Sequence, residues 1–107
     1  MKIVIQFHED GVLISRENQS QIFVPRLSWI KLVELKHTLQ QHMKNRNQNN
    51  WVIGENLRVS VSVFKENILL HIRIWYENRP TQQGVTLNIP EWSYLLSFLH
   101  YDKEEEL

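Results

Sequence analysis

Apolar and polar residues alternate in several short runs along the chain, which is the pattern of half-buried β-strands. The first run covers residues 2–7. The Asp-Gly pair at 10–11 predicts a hairpin turn, because Asp-Gly favours the positive backbone angles that such turns need. A second strand is predicted at 12–16 and a third at 21–24, which ends before Pro25 because proline lacks an amide donor.

The pattern then changes to helical spacing. From Trp29 onward apolar residues recur every three or four positions with charged and amide residues between them, so we predict a helix from about Ser28 to Met43. Residues 44–50 contain only Lys, Arg, Asn and Gln. A polar stretch without apolar periodicity is typical of a connection, and we interpret it as a linker.

The second half of the chain has the same order of elements. An alternating strand from Arg58 to Phe64 is followed by a turn at 65–67 and a returning strand at 68–76. After a polar loop, a third strand at 84–88 leads into a short helix that contains Trp92. These segments predict another antiparallel meander with one helix at its end.

The two halves align with each other. When Lys2 is aligned with Arg58, inward-facing and outward-facing strand positions coincide without a gap. Trp29 then aligns with Trp92 if the second half has a longer loop before its last strand. We interpret this as a diverged tandem repeat. The alternative is that any two short meander-plus-helix segments look alike at this level.

Length and composition limit the class of protein. A unit of about 50 residues buries too little apolar surface to be stable alone, so two units within 107 residues would have to share a core. The chain is 42% hydrophobic and 22% charged, as in soluble globular domains. With no membrane-spanning run and no signal segment, we expect an intracellular protein, nuclear if it serves a eukaryote or a virus that replicates in the nucleus.

Several kinds of chemistry find no support in the sequence. The chain has no cysteine, which excludes disulfides and thiolate metal sites. Of its five histidines, His37 and His42 lie five apart on the predicted helix and so do not share a face, and the other three lie on separate elements. No catalytic motif occurs. We therefore expect a non-enzyme without metal or cofactor. The formal net charge of zero means that any nucleic-acid site must concentrate its cations on one face.

One face of the second meander carries such a pattern. Alternation places Val59, Val61 and Ile72 on the core side of the predicted sheet. The opposite side then combines cations with aromatic rings and presents Arg58, Ser60, Ser62, Phe64, Leu69, His71, Arg73 and Trp75. Such a surface suits single-stranded nucleic acid, since arginine pairs with phosphates and bases stack on exposed rings. Alternatively, Phe64 and Trp75 fill a contact between the two units, and a bulge would exchange Trp75 with Tyr76.

A group of residues between positions 53 and 95 carries a family resemblance. They are Ile53-Gly54, Val59-Ser60-Val61, Phe64-Lys65, Leu69, Ile72-Arg73, Trp75-Tyr76, Gly84, Leu87-Asn88 and Trp92-Ser93. In this order they resemble the single-stranded-DNA-binding domain of the transcriptional coactivator family called positive cofactor four. The resemblance implies nucleic-acid contacts by Phe64, Lys65, Arg73 and Tyr76, to which the outer face adds Arg58 and Trp75. Family members are dimers, so it also implies that the two units pack as an intrachain pseudo-dimer.

The chain departs from the family pattern at several basic positions. Ser62, Asn67 and the pair Gln82-Gln83 stand where the family has basic residues. In the first unit, the positions that align with Phe64, Lys65 and Arg73 are occupied by His8, Glu9 and Glu17. Carboxylates repel phosphate, so we expect the first unit to serve mainly as the structural partner.

The sequence thus predicts an α+β protein built from two units, each an antiparallel meander with a C-terminal helix. The predicted division is a first unit at 1–43, a linker at 44–50, a second unit at 51–101 and an acidic tail at 102–107. The predicted function is binding of single-stranded DNA or RNA in transcription or replication. Transcription or replication proteins are further expected partners, and homodimerisation through strand edges is compatible with the same architecture. The alternative function is a protein interaction module that kept the fold and lost DNA binding.

Overall fold

The structure is a computed structural model that describes residues 3–100. Within them lie the strands β1 (Ile3–His8), β2 (Gly11–Arg16), β3 (Ile22–Pro25), β4 (Asn49–Gly54), β5 (Leu57–Phe64), β6 (Asn67–Tyr76) and β7 (Arg79–Leu87), and the helices α1 (Arg26–Asn45) and α2 (Ile89–Leu96). The first sheet has the order β1-β2-β3 and the second sheet the order β4-β5-β6-β7, with all pairs antiparallel. The predicted α+β class is confirmed. The predicted acidic tail lies outside the described residues.

Helix α1 is longer than predicted at both ends. It starts directly after Pro25, and its C-cap is Arg46, which adopts a left-handed conformation and donates its backbone N–H to the carbonyls of His42 and Met43. Asn49 and Asn50 already pair with β5. The predicted linker 44–50 is therefore shortened to residues 46–48, because polar side chains on exposed helix and strand ends give no apolar periodicity.

Strand β4 is an element that the sequence pattern did not predict. It is a strand of the second sheet with a bulge between Val52 and Gly54. A Cβ atom at Gly54 would lie 2.4 Å from the Oγ atom of Ser28, a buried residue in the first turn of α1. Glycine at position 54 thus leaves room for the Ser28 side chain between the helix and this strand.

The β1-β2 hairpin of the first sheet and the β5-β6 hairpin of the second sheet have the same register. Ile3 pairs with Arg16 in the first sheet, and Val59 pairs with Ile72 in the second; each of these partners lies 56 residues beyond its counterpart. The next strands, β3 and β7, differ by two residues in their register against the hairpin. Ile14 pairs with Ile22, whereas Leu70, the residue aligned with Ile14, pairs with Leu87 instead of Val85.

The two halves share one hydrophobic core. Helix α1 packs against strands of both sheets, and Leu32 and Leu39 belong to the same buried cluster as Leu70 and Leu87. Polar contacts also join the halves. The Arg16 Nε atom lies 2.6 Å from the Glu91 carboxylate, and the Lys36 Nζ atom donates to the Leu99 carbonyl at 2.8 Å. Neither half therefore buries its apolar surface alone, as expected for units of this size.

Candidate nucleic-acid interface

An open groove of about 710 Å³ crosses the outer face of the second sheet. It extends over all four strands because outward-facing residues at the same level of neighbouring strands lie side by side. Its lining comprises Gln48 just before β4, Asn49 and Asn50 at the start of β4, Ser60, Val61 and Ser62 on β5, His71, Arg73 and Trp75 on β6, and Pro80, Thr81, Gln82 and Thr86 on β7. The inward-facing neighbours Val59, Leu70 and Ile72 are completely buried, as the alternation predicts.

Two arginines lie directly opposite each other in this sheet and turn in different directions. Arg58 pairs with Arg73 across β5 and β6. Like charges at such positions repel each other. The Arg58 guanidinium lies over the Trp75 ring, 4.4 Å from its centroid, and donates to Asn50 Oδ1 at 3.0 Å and to Asn78 Oδ1 at 3.4 Å. Arg73 turns towards β7, so the two charges are separated.

Arg73 is held in a fixed orientation in the groove. Its Nη2 atom donates to Thr86 Oγ1 at 2.7 Å and its Nη1 atom donates to the Thr81 carbonyl at 3.2 Å. Gly84 leaves room for this side chain, because a Cβ atom there would lie 2.8 Å from Arg73 Cβ and 2.5 Å from the Ile72 carbonyl oxygen. Partial burial lowers the pKa of Arg73 from its ordinary value. The group stays charged, and only two of its roughly five N–H donors are used.

His71 connects Thr86 on β7 to Ser62 on β5. Its Nδ1 atom lies 2.9 Å from Thr86 Oγ1, and its Nε2 atom lies 2.7 Å from Ser62 Oγ. Since Thr86 Oγ1 accepts from Arg73, its own proton is available to Nδ1. This arrangement favours neutral His71 with its proton on Nε2, donated to Ser62. Burial, and then the positive charge of Arg73, lower the pKa of His71.

The tip of the β5-β6 hairpin extends the same face beyond the groove. Phe64 is 62% exposed, and the Lys65 Nζ atom lies 5.4 Å from the centroid of its ring. Lys65 and Glu66 both have positive φ angles, 55° and 87°, which is costly for residues with a side chain. The turn thus holds a cation and an exposed ring together at the end of the sheet.

The structure brings most of the predicted site residues onto one face. Arg73 and Trp75 line the groove. Arg58 packs on Trp75 but lines a smaller neighbouring cavity of about 240 Å³, and Phe64 and Lys65 lie at the hairpin tip.

Tyr76 is placed differently from the other predicted residues. The register shift lies in β7, because Arg73 pairs with Gly84 and Trp75 already with Pro80. Trp75 stays bonded in register, its N–H donating to the Asn56 carbonyl at 2.7 Å. The irregularity in β7 therefore leaves Trp75, and not Tyr76, on the groove side of β6. Alternation puts Tyr76 on the opposite side of the sheet.

Sequence reasoning missed part of the groove floor. Thr86 and Thr81 hold Arg73, and Asn50 holds Arg58. Thr86 stands between the apolar residues Val85 and Leu87, so alternation alone would have placed it on the outer face. Thr81 and Asn50 lie in segments that carry no periodic signal.

The first sheet does not repeat this surface. Among the described residues, its outer face carries Val4, Gln6, His8, Leu13, Ser15 and Phe23 and no lysine or arginine. His8 contacts the ring of Phe23 at 6.4 Å between centroids. The combination of cations and rings is thus confined to the second sheet.

Residues 3–100 contain no group of three or more His, Asp or Glu side chains placed to hold a metal ion. Neither described helix is long and apolar enough to span a bilayer.

Comparison with known proteins identifies a matching family model but no matching solved structure. The model of the family described as Transcriptional Coactivator p15 (PC4) matches residues 51–98, a segment that runs from β4 through α2 and supplies every groove residue except those at 48–50. The predicted resemblance is confirmed for this segment: residues 51–98 are similar to the transcriptional coactivators of the p15 (PC4) family.

Proposed function

We propose that this protein binds single-stranded nucleic acid across the outer face of the second sheet and acts in transcription or replication. The observation that carries the proposal is the groove in which Arg73 is fixed between aromatic residues. Trp75 lines one end, and Phe64 projects from the hairpin tip beyond the other. The eight-residue spacing along β6, from Asn67, which pairs with Phe64, to Trp75, corresponds to about 26 Å of strand.

The chemistry of this face fits a single strand better than a duplex. Arg73 has N–H donors left for phosphate oxygens, and Lys65 adds a positive charge at the tip. Unstacked bases can lie on Phe64 and Trp75, and each such stack contributes about 1–3 kcal/mol. In a duplex the base faces are covered by their neighbours, so the rings would have nothing to stack on.

The first half is proposed to be the structural partner of the second, in an intrachain pseudo-dimer. The equal register of the β1-β2 and β5-β6 hairpins and the shared core support a fused pair of related units at 1–43 and 51–101. His8 and Glu9, which align with Phe64 and Lys65, offer no comparable cation. We therefore expect one binding face per chain.

The experiment that tests this function is a fluorescence-anisotropy titration of a labelled oligo-dT of about 20 nucleotides. The full chain should bind with micromolar or tighter affinity at low salt, more weakly at physiological salt, and less well to duplex DNA of the same length. An oligo-U of equal length compares RNA with DNA. Absence of binding to any single strand at low salt would overturn the proposal.

One set of observations favours a second candidate, a protein interaction module on the same face. The net charge is zero, and Asn67, Gln82 and Gln83 supply no charge where the resembled family is basic. Arg58 is engaged with Trp75 and two asparagines. The salt dependence separates the two functions, since only a phosphate-binding face releases condensed counterions and loses affinity steeply with salt.

A further inference from the structure

Strand β1 is an edge strand whose outward backbone groups lack a strand partner within residues 3–100. His8 and Gly11 close the hairpin across a two-residue turn, so their pair is hydrogen-bonded. Bonded and non-bonded pairs alternate along an antiparallel ladder. The N–H and C=O groups of Ile3, Ile5 and Phe7 therefore point away from β2.

The other three sheet edges carry features that hinder pairing with another strand. Strand β3 has only four residues and ends in Pro25. Strand β7 contains Pro80 and a register shift, and Gln19 occupies backbone groups of Thr86 on its free side. Strand β4 is bulged between Val52 and Gly54. In contrast, β1 has six residues without proline, glycine, a bulge or a Lys, Arg, Asp or Glu side chain.

Strand β1 also exposes apolar side chains on both of its faces. Val4 is 53% exposed on the outer face. Phe7 is 56% exposed on the inner face, where its ring contacts Trp29 at 5.6 Å and Phe98 at 5.8 Å between centroids. A cavity of about 380 Å³ lies beside it, lined by these aromatic residues together with Ile30 and Val33. The core thus continues to the edge of the sheet, where residues 3–100 leave it uncovered.

We propose that β1 pairs antiparallel with β1 of a second copy of this chain, about a two-fold axis perpendicular to the sheet. The strand is self-complementary in this arrangement. Ile3, Ile5 and Phe7 of the two copies meet on the inner side, and no two charged side chains of the strand face each other. The two three-stranded sheets become one six-stranded sheet, and the pairing uses up both edges, so assembly stops at the dimer.

The proposal is independent of nucleic-acid binding, because β1 belongs to the first sheet and the groove to the second. The full chain has a mass of 12.9 kDa. Sedimentation equilibrium over a wide concentration range should show a reversible increase from this mass to twice this mass. A chain that stays monomeric up to about millimolar concentration, or that grows into open polymers, would overturn the proposal.

A pair of matched variants locates the interface. Val4→Lys places a charge on the β1 edge and should shift the dimer dissociation constant upward by at least tenfold. Val52→Lys makes the same change on the β4 edge, at a residue of similar exposure, 60%, and should leave the dimer unchanged. An equal effect of both substitutions, or loss of the dimer only with Val52→Lys, would place the contact elsewhere.

Hydrogen exchange on the unmodified chain provides a test that does not depend on a variant folding. The amides of Ile5 and Phe7 should exchange more slowly as concentration rises through the dimer transition, whereas the amide of Val52 should not change. Exchange at Ile5 that is independent of concentration while the mass doubles would show that the dimer forms through another surface.

Discussion

The side-chain amide of Gln19 pairs with the main chain of Thr86 as a neighbouring strand would. Its Oε1 atom accepts from the Thr86 N–H at 2.7 Å, and its Nε2 atom donates to the Thr86 carbonyl at 3.3 Å. Gln19 lies in the turn between β2 and β3, while the Thr86 hydroxyl contacts both Arg73 and His71. The first half thus fixes the residue that orients the groove side chains.

Replacing Gln19 with leucine should weaken both stability and binding. The Thr86 N–H loses its partner, which costs about 1 kcal/mol of the free energy of unfolding at a partly exposed site. Freed motion of Thr86 loosens Arg73, so affinity for oligo-dT should fall several-fold. Urea unfolding and anisotropy measure the two effects, with Gln40→Leu on the exposed surface of α1 as the control. Unchanged affinity in Gln19→Leu would show that Thr86 keeps its position without this contact.

Replacing Gly84 with alanine should disturb the groove from beneath. The added Cβ would approach the Ile72 carbonyl oxygen and the Arg73 backbone, neither of which can move without shifting β6. We expect a loss of about 1–3 kcal/mol in the free energy of unfolding, as for overpacked interiors. The molecules that remain folded should also bind oligo-dT with lower affinity. Urea unfolding measures the loss. If the urea midpoint of Gly84→Ala equals that of the wild type, β6 and β7 move apart at this position at little cost in free energy.

Removing the ring of Phe64 should reduce binding without loss of stability. This side chain is largely exposed, so Phe64→Ala removes little buried surface, yet the loss of one stacked base lowers affinity by about 1–3 kcal/mol. Tyr76→Ala is the matched control, since Tyr76 is 67% exposed but lies on the opposite side of β6. Anisotropy with oligo-dT compares the two. A larger effect from Tyr76→Ala would place a base contact at Tyr76, as the family resemblance implies, and would contradict the assignment of binding to the groove side of β6.

The sequence was sufficient for the elements whose side chains alternate between core and solvent. Val59, Leu70 and Ile72 repeat with strand periodicity, so the faces of β5 and β6 were predicted correctly. Strand β4 was missed because Asn49 and Asn50 are exposed and polar although their backbone is paired. Contacts between distant segments, such as Gln19 with Thr86, leave no local pattern, since they depend on how the two sheets come together.

The protonation of His71 should affect stability and binding in opposite directions. Burial and Arg73 lower its pKa below the ordinary value of 6.5, so at mildly acidic pH the unfolded chain binds a proton more readily than the folded one. The stability that neutral His71 contributes is complete above pH about 6.5 and is lost progressively as the pH falls towards the lowered pKa. Urea unfolding between pH 7.5 and 5 should show this loss, and His71→Asn should reduce it.

Binding should respond with the opposite sign because phosphate stabilises a protonated histidine. A charge on His71 lies beside Arg73 in the groove, where each cation is repelled by the other until an anion neutralises both. Affinity for oligo-dT should therefore rise as the pH falls over the range in which stability declines. In His71→Asn this rise should be absent, with affinity nearly constant over that range. A rise of equal size in both proteins would assign the pH dependence to other groups and leave His71 as a structural link between Ser62 and Thr86.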